Sequence, residues 1–147
     1  MGPVLALDIG GKRTGMAVSD DTLTFAFPLE TVETRLLLDA VGARIAERSI
    51  TGLVVGLPVN LKNEPTDATP IVRSWVERIR ARFAGMPVFL VDERFTSSMA
   101  RQSLLAAGMK KSDREKKENT DKVSAALILQ SYLDQRRRFG PDVPNKT

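Results

Sequence analysis

Apolar positions along the chain fall into two kinds of pattern, and the switch between them suggests an architecture. Residues 4–9 form a short continuous apolar run, broken only by Asp8 near its end and followed by Gly10-Gly11. A run this short, rich in β-formers and closed by glycine, reads as a buried strand. Residues 14–19 make a second run after the basic turn residues Lys12 and Arg13, so the opening reads as a hairpin. Residues 23–32 carry Phe25, Phe27, Leu29 and Val32 as a third strand, which Pro28 marks as an edge or a bulge.

The periodicity then becomes helical. Thr34 is a candidate cap for a helix over 35–48, with Leu37, Ala40, Val41 and Ile45 on one face. Residues 52–58 read as a buried strand stopped by Pro58, and the polar residues through Asp67 as a loop. Thr69 is a candidate cap and Pro70 suits the first turn of a second helix. There Val72, Trp75, Val76, Ile79 and Phe83 form a core stripe, with Trp75 read as buried. Gly85 ends that helix, and residues 87–91 read as a fifth strand. Thr96 or Ser97 opens a third helix to Ala107, stopped by Gly108. The charged stretch 109–118 reads as a loop. Asn119 or Thr120 opens a final helix with Val123, Leu127 and Leu133 on its buried face.

Helices between later strands imply right-handed parallel crossovers. The expected fold is therefore an α/β three-layer sandwich whose five-stranded mixed sheet has the order 3-2-1-4-5. Its ligand edge would lie at the carboxyl ends of the parallel strands. The domain is expected to span 1–138, with a polar tail over 139–147.

Composition narrows the chemistry. The 147 residues are 42% hydrophobic and 27% charged, as in an ordinary globular domain. No apolar run approaches the ~18 residues of a membrane span, and the start lacks a signal-like pattern, so no membrane partner is expected. The chain has no Cys, which fits a reducing cytoplasm. With no His either, imidazole triads, thiol nucleophiles and thiolate or imidazole zinc sites are excluded. Catalysis would fall to carboxylates, Lys, Ser/Thr or a hard cation held by oxygen ligands. A net charge of +4 and a pI near 9.7 lean toward a polyanionic partner.

The acids then draw attention. Asp8 ends the central strand, Asp92 and Glu93 end the fifth, and Asp121 falls in the first turn of the last helix. Each has a simple structural reading: Asp8 as a turn former, the 92–93 pair as helix complements, and Asp121 as a dipole partner. The basic stretch around Lys110 to Lys122 reads equally well as a solvated face. Alternation along a strand lets only one of Asp92 and Glu93 face a shared site.

Four segments, LALDIGGKRTGMAVSD, VVGLPVN, VDERFTSSMA and DKVSAALILQSYLD, occur in an order that resembles the YqgF/RuvX family of RNase H-like nucleases. The resemblance covers most of the chain from Val4 to Asp134. It implies an RNase H-like fold and cleavage of nucleic acid in maturing the 5′ end of pre-16S ribosomal RNA, with ribosomal precursor particles as partners. Carried over by motif, Asp8, Glu93 and Asp121 are the catalytic and metal-binding acids, holding Mg2+ or Mn2+. Lys12, Arg13, Arg94, Lys110, Lys111 and Lys122 are the substrate-binding cations. Many nucleases of this fold end the fourth strand in an acid, whereas here it ends Gly56-Leu57-Pro58. Glu93 would have to reach across that strand, about 10 Å at ~4.8 Å per strand, and Gly56 leaves room for the acids to converge.

Three other readings stay open on sequence. A Holliday-junction resolvase would use the same acids in a homodimer acting on DNA. The segment from Asp8 to Gly15 also fits the phosphate loop of actin-like ATPases and sugar kinases, which enclose nucleotide between two domains. A catalytically silent RNA-binding protein would use Lys110, Lys111, Lys116, Lys117 and Arg136 to Arg138, mainly against phosphates.

Overall fold

A computed structural model describes residues 2–58, 68–92 and 117–139 of the chain. Five strands, β1 (Val4–Ile9), β2 (Arg13–Ser19), β3 (Ala26–Glu33), β4 (Gly52–Leu57) and β5 (Val88–Asp92), form one sheet in the order β3-β2-β1-β4-β5. The β1–β2 and β2–β3 pairs are antiparallel, while β1–β4 and β4–β5 are parallel. This is the mixed sheet expected from the pattern. Pro28 sits on the edge strand β3, next to a register shift at Met16/Ala17, where a missing amide costs no ladder bond.

Strand alternation sorts the side chains into two cores. Leu5, Leu7 and Ile9 of β1, with Leu53, Val55 and Leu57 of β4, meet helices α1 (Leu37–Arg48) and α2 (Thr69–Arg82) on one face. On the other face Val4, Ala6, Ala17, Ala26, Val54 and Val91 meet the long helix α3 (Lys117–Phe139). Ala6 lies directly opposite Ala17 in the sheet, and Ala125 and Ala126 are fully buried on the helix. These small side chains let α3 lie close to the sheet. Tyr132 packs its ring against Phe89 of β5, centroids 5.2 Å apart; burial pushes its phenol above the usual 10.0, against the opposing charge of Arg136.

The element ends depart from expectation in instructive ways. Thr34 does not cap a helix: it starts a 3-10 turn (Thr34–Leu36), and α1 begins at Leu37. Its buried hydroxyl is used elsewhere, donating to the Gly10 carbonyl at 2.7 Å. Thr69 is likewise inside α2 rather than capping it, and its hydroxyl donates to the Pro58 carbonyl at 2.5 Å. In both cases a tertiary carbonyl took the hydroxyl that local sequence had assigned to a cap. Pro70 does occupy the first turn of α2. β3 starts at Ala26 rather than Leu23, because Leu23 has a left-handed φ of 59° and Asp20 accepts the amides of Thr24 and Phe25 at 2.8 Å each. α3 begins at Lys117, two residues before the expected start, and Leu127 is only partly buried. Trp75 is half-buried rather than buried. The helix expected over 96–107 and most of the loop over 109–118 lie outside the described residues. No helix among the described residues is long and apolar enough to cross a membrane.

Candidate active site

Asp8 is the next-to-last residue of the central strand and is half-buried, whereas its strand neighbours are buried. Alternation places its side chain on the same face as Val4 and Ala6, the face covered by α3. Directly opposite it on β2 stands Gly15, which in turn faces Thr31 of β3. On the other side, the parallel register Leu7↔Val55 brings Gly56 level with Asp8 at the next step, and Gly56 pairs with Val91. The carboxylate therefore stands in a row where both adjoining strands lack a side chain. Both glycines are buried, so the row reaches the carboxyl edge of the sheet with no side chain on either side of Asp8.

The β1–β2 turn borders this row. The Gly10 amide donates to the Arg13 carbonyl at 2.9 Å, and a Cβ at Gly10 would fall 2.5 Å from that oxygen. Arg13 lies on the Asp8 face, diagonal to it across the strand pair, a Cα separation of about 7–8 Å in an antiparallel ladder. Lys12 is exposed at the tip, and its carbonyl accepts the Thr34 amide at 2.9 Å. Beneath the turn, Thr14 and Thr34 are buried with their hydroxyl oxygens 2.9 Å apart. Because the Thr34 proton goes to the Gly10 carbonyl, Thr14 is the donor to Thr34.

The orientation of α3 follows from its polar contacts at the opposite end of the sheet. Gln130 accepts the Ala26 amide at 3.1 Å and donates to the Thr24 carbonyl at 3.3 Å. Arg137 also donates to the Thr24 carbonyl, at 3.0 Å. Seven residues separate these two donors, about 10 Å of helix. Arg137 reaches Thr24 only if the helix runs outward past the start of β3, so its N-terminal half points toward Asp8. Gln130 is level with Ala26, Ser19 and Val4, the Ser19 hydroxyl accepting the Val4 amide at 2.9 Å. From there Asp8 is about 13 Å along the strand at ~3.3 Å per residue. Asp121 is about 13.5 Å back along the helix at 1.5 Å per residue. The backbone at Asp121 thus comes to roughly the level of Asp8.

Asp92 ends β5 next to Leu57 and is 7% exposed. It alternates with Val91, which packs under α3, so Asp92 belongs to the face of α1 and α2 and points away from Asp8. Lys122 is half-buried near the start of α3. Glu93, Arg94, Lys110, Lys111 and Lys116 lie outside the described residues, as do the side chains of Asp121 and Lys117. Among the described residues no group of three or more potential metal ligands is gathered. Arg136, Arg137 and Arg138 occupy the last turn of α3, at the far end from Asp8. Sequence reasoning missed Gly15 and the Thr14–Thr34 pair. Counting back from a Gly10–Arg13 turn would have put Gly15 opposite Asp8.

Comparison with known proteins assigns the family. A family model described as "RuvX: Holliday junction resolvase" matches residues 2–135. A relative from Bacteroides thetaiotaomicron, named "Putative pre-16S rRNA nuclease", is 41% identical over 93% of this chain and 99% of its own length. A relative of the same name from Porphyromonas gingivalis is 40% identical over 94% of this chain and 100% of its own. Among solved structures, T. thermophilus RuvC in complex with a Holliday junction substrate superposes with a TM-score of 0.63. It does so at 16% identity, covering 95% of this chain and 98% of that one, a likeness of fold. With sheet order, motif order and whole-length relatives in agreement, the chain belongs to the RuvX family of nucleases.

Proposed function

We propose that this protein is a metal-dependent nuclease that hydrolyses phosphodiester bonds in maturing the 5′ end of pre-16S ribosomal RNA. The name shared by its whole-length relatives supports the substrate. The observation that carries the chemistry is Asp8 between Gly15 and Gly56 at the carboxyl edge of the sheet. Glu93 is the acid that the family motif assigns beside Asp8. Asp121 contributes from the first turns of α3. Three carboxylates brought together repel one another and offer only hard oxygen donors, a set suited to Mg2+ or Mn2+. The two glycines put no side chain of β2 or β4 between such an ion and Asp8. When bound, it would supply Lewis-acid stabilisation of the phosphoryl oxygens and a more acidic water.

The chain's own residues do the rest. Lys12 and Arg13, on a turn fixed against Thr34, hold the backbone phosphate over Asp8, and their charge offsets that developing on the phosphoryl oxygens. Arg94, Lys110, Lys111 and Lys122 extend that grip along the strand. The water oxygen adds to phosphorus on the side opposite the departing ribose oxygen, and the phosphorus bond to that oxygen breaks, the oxygen keeping the electron pair and taking a proton from solvent. The acids orient the water and accept its proton.

The test is to assay wild type, Asp8→Asn, Glu93→Gln and Asp121→Asn on RNA and DNA with Mn2+, Mg2+ or EDTA. Each substitution should lower cleavage at least ~100-fold, the scale of losing a positioned electrostatic group, with the thermal transition retained. Full activity in Asp8→Asn would refute the site. The family description favours a second reading, a Holliday-junction resolvase working as a homodimer. Preferential cutting of four-way DNA junctions over single-stranded RNA, by a species that sediments as a dimer, would support it instead.

A further inference from the structure

Helix α2 carries a surface that the cleavage chemistry leaves unused. Val72, Val76 and Ile79 turn inward. Ile71, Trp75, Arg78 and Arg82 follow one another at i, i+4, i+7 and i+11, so they line one flank of the helix. Ile71 is 47% exposed beside the half-buried Trp75, so the flank joins apolar surface to cationic side chains. The Arg78 guanidinium lies over the Trp75 ring, 4.0 Å from its centroid, a contact that favours keeping the cation beside the indole. Arg82 pairs with Asp39 at 3.4 Å, but both side chains are more than half exposed. A pair so exposed is weak and exchangeable. Across the whole helix, Arg73, Arg78, Arg80 and Arg82 face a single acid, Glu77.

The position of the flank matters as much as its chemistry. Thr69 ties the start of α2 to Pro58, just past the end of β4. The helix therefore begins at the sheet edge where Asp8 lies and leads away from it. Because α2 packs on the face of the sheet opposite to that of Asp8, a polymer leaving Asp8 turns over this edge and then meets Ile71, Trp75 and Arg78, and Arg82 in that order.

We infer that this flank is a second nucleic-acid-binding surface, which takes an unpaired stretch of RNA running on from the cleavage site. This rests on the reading above that the substrate is RNA. An unpaired base stacks on the outer plane of the Arg78 guanidinium, which is backed by Trp75. Ile71 packs against the adjoining base or sugar, and Arg82 exchanges Asp39 for a phosphate. Arginine planes and aromatic rings are the groups on which splayed RNA bases stack. A wholly acidic partner would need only the charges, not a cation placed over an indole beside an exposed apolar side chain.

Trp75 is the sole tryptophan of the chain and reports directly on this surface. Wild type in EDTA is titrated with a single-stranded RNA of about 12 nucleotides while tryptophan emission is followed, and binding is measured in parallel by anisotropy of the labelled RNA. The inference expects a saturable change in emission. It expects a Kd about tenfold weaker in Arg78→Ala, the weight of one stacked base, and only partial recovery in Arg78→Lys, which keeps charge without the plane. The dependence of log Kd on log salt should lose a slope of about 0.7 in Arg82→Ala, one phosphate contact. Thermal melts establish that each variant is folded. RNA binding that leaves Trp75 emission unchanged, or a Kd indifferent to Arg78→Ala, overturns the inference. So does emission that tracks protein concentration without RNA alongside dimer sedimentation, which assigns the flank to a second copy. The two readings separate cleanly. Metal-dependent cleavage with no response at Trp75 removes the surface alone. A response at Trp75 without metal-dependent cleavage removes the nuclease reading and leaves an RNA-binding flank.

Discussion

Thr34 lies beyond the end of β3, yet its hydroxyl holds the carbonyl of Gly10, at the turn two strands away, at 2.7 Å. With Thr14 donating to Thr34 from below, a two-hydroxyl relay ties the β1–β2 turn to the start of the 3-10 turn. It fixes the position of Lys12 and Arg13 relative to Asp8. Thr34→Val keeps the shape but removes the donor and orphans the fully buried Thr14 hydroxyl. The loss should be about 1–3 kcal/mol, the cost of an unsatisfied buried polar group. Chemical denaturation checks it, and Thr34→Ser, which restores the donor, should recover most of the difference.

Asp92 and Glu93 are adjacent acids with opposite expected roles. The buried Asp92 carboxyl belongs to the face of α1 and α2. Asp92→Asn should therefore lower stability while leaving kcat within about threefold of wild type. Glu93→Gln should do the reverse, with a loss of ~100-fold or more in kcat and an unchanged melting transition. Parallel kinetics and melts on the two variants decide it. Equal loss of kcat in both would place Asp92 at the site.

Asp20 organises the loop before β3. Burial pushes its carboxyl up, but the amides of Phe25 and Thr24 and the hydroxyl of Thr22 together hold it below the usual 3.8. A carboxyl lowered in the folded state contributes stability that is present above its unfolded pKa and lost as pH falls through its folded one. The acid limb of stability below about pH 3.8 should thus be shallower in Asp20→Asn than in wild type. Denaturant midpoints measured from neutral pH to about pH 2.5 read the difference directly.

How far the sequence revealed all this depends on the range of each signal. Strand order was legible because apolar runs and helical stripes alternate along the chain, and crossover handedness then leaves one arrangement. Thr34 and Thr69 both carry a local cap signal, and both gave their hydroxyls to distant carbonyls, of Gly10 and Pro58, which no window of sequence contains. The packing of α3 was hidden for another reason. Its floor is Ala6, Ala17 and Ala26, residues too small to stand out in a hydrophobic pattern. At the candidate site, Asp8 and Gly56 were visible as strand ends. Gly15 became meaningful only once register set it opposite Asp8.

That register leads to the sharpest structural prediction. If the two glycines beside Asp8 serve to admit a cation and a phosphate, side chains at those positions should close the site in proportion to their size. Gly15 and Gly56 flank Asp8 on the face of α3. Both are buried within strands on that face, so a large side chain there also presses on the packing of α3 and should lower the melting temperature. Gly56→Ala should keep measurable cleavage, whereas Gly56→Leu should abolish cleavage and weaken Mn2+ binding measured by calorimetry, with the thermal transition still cooperative. Gly15→Val should follow Gly56→Leu. Cleavage and metal binding that survive Gly56→Leu intact would mean that the glycines serve only the packing of α3, and that the acids converge away from this row.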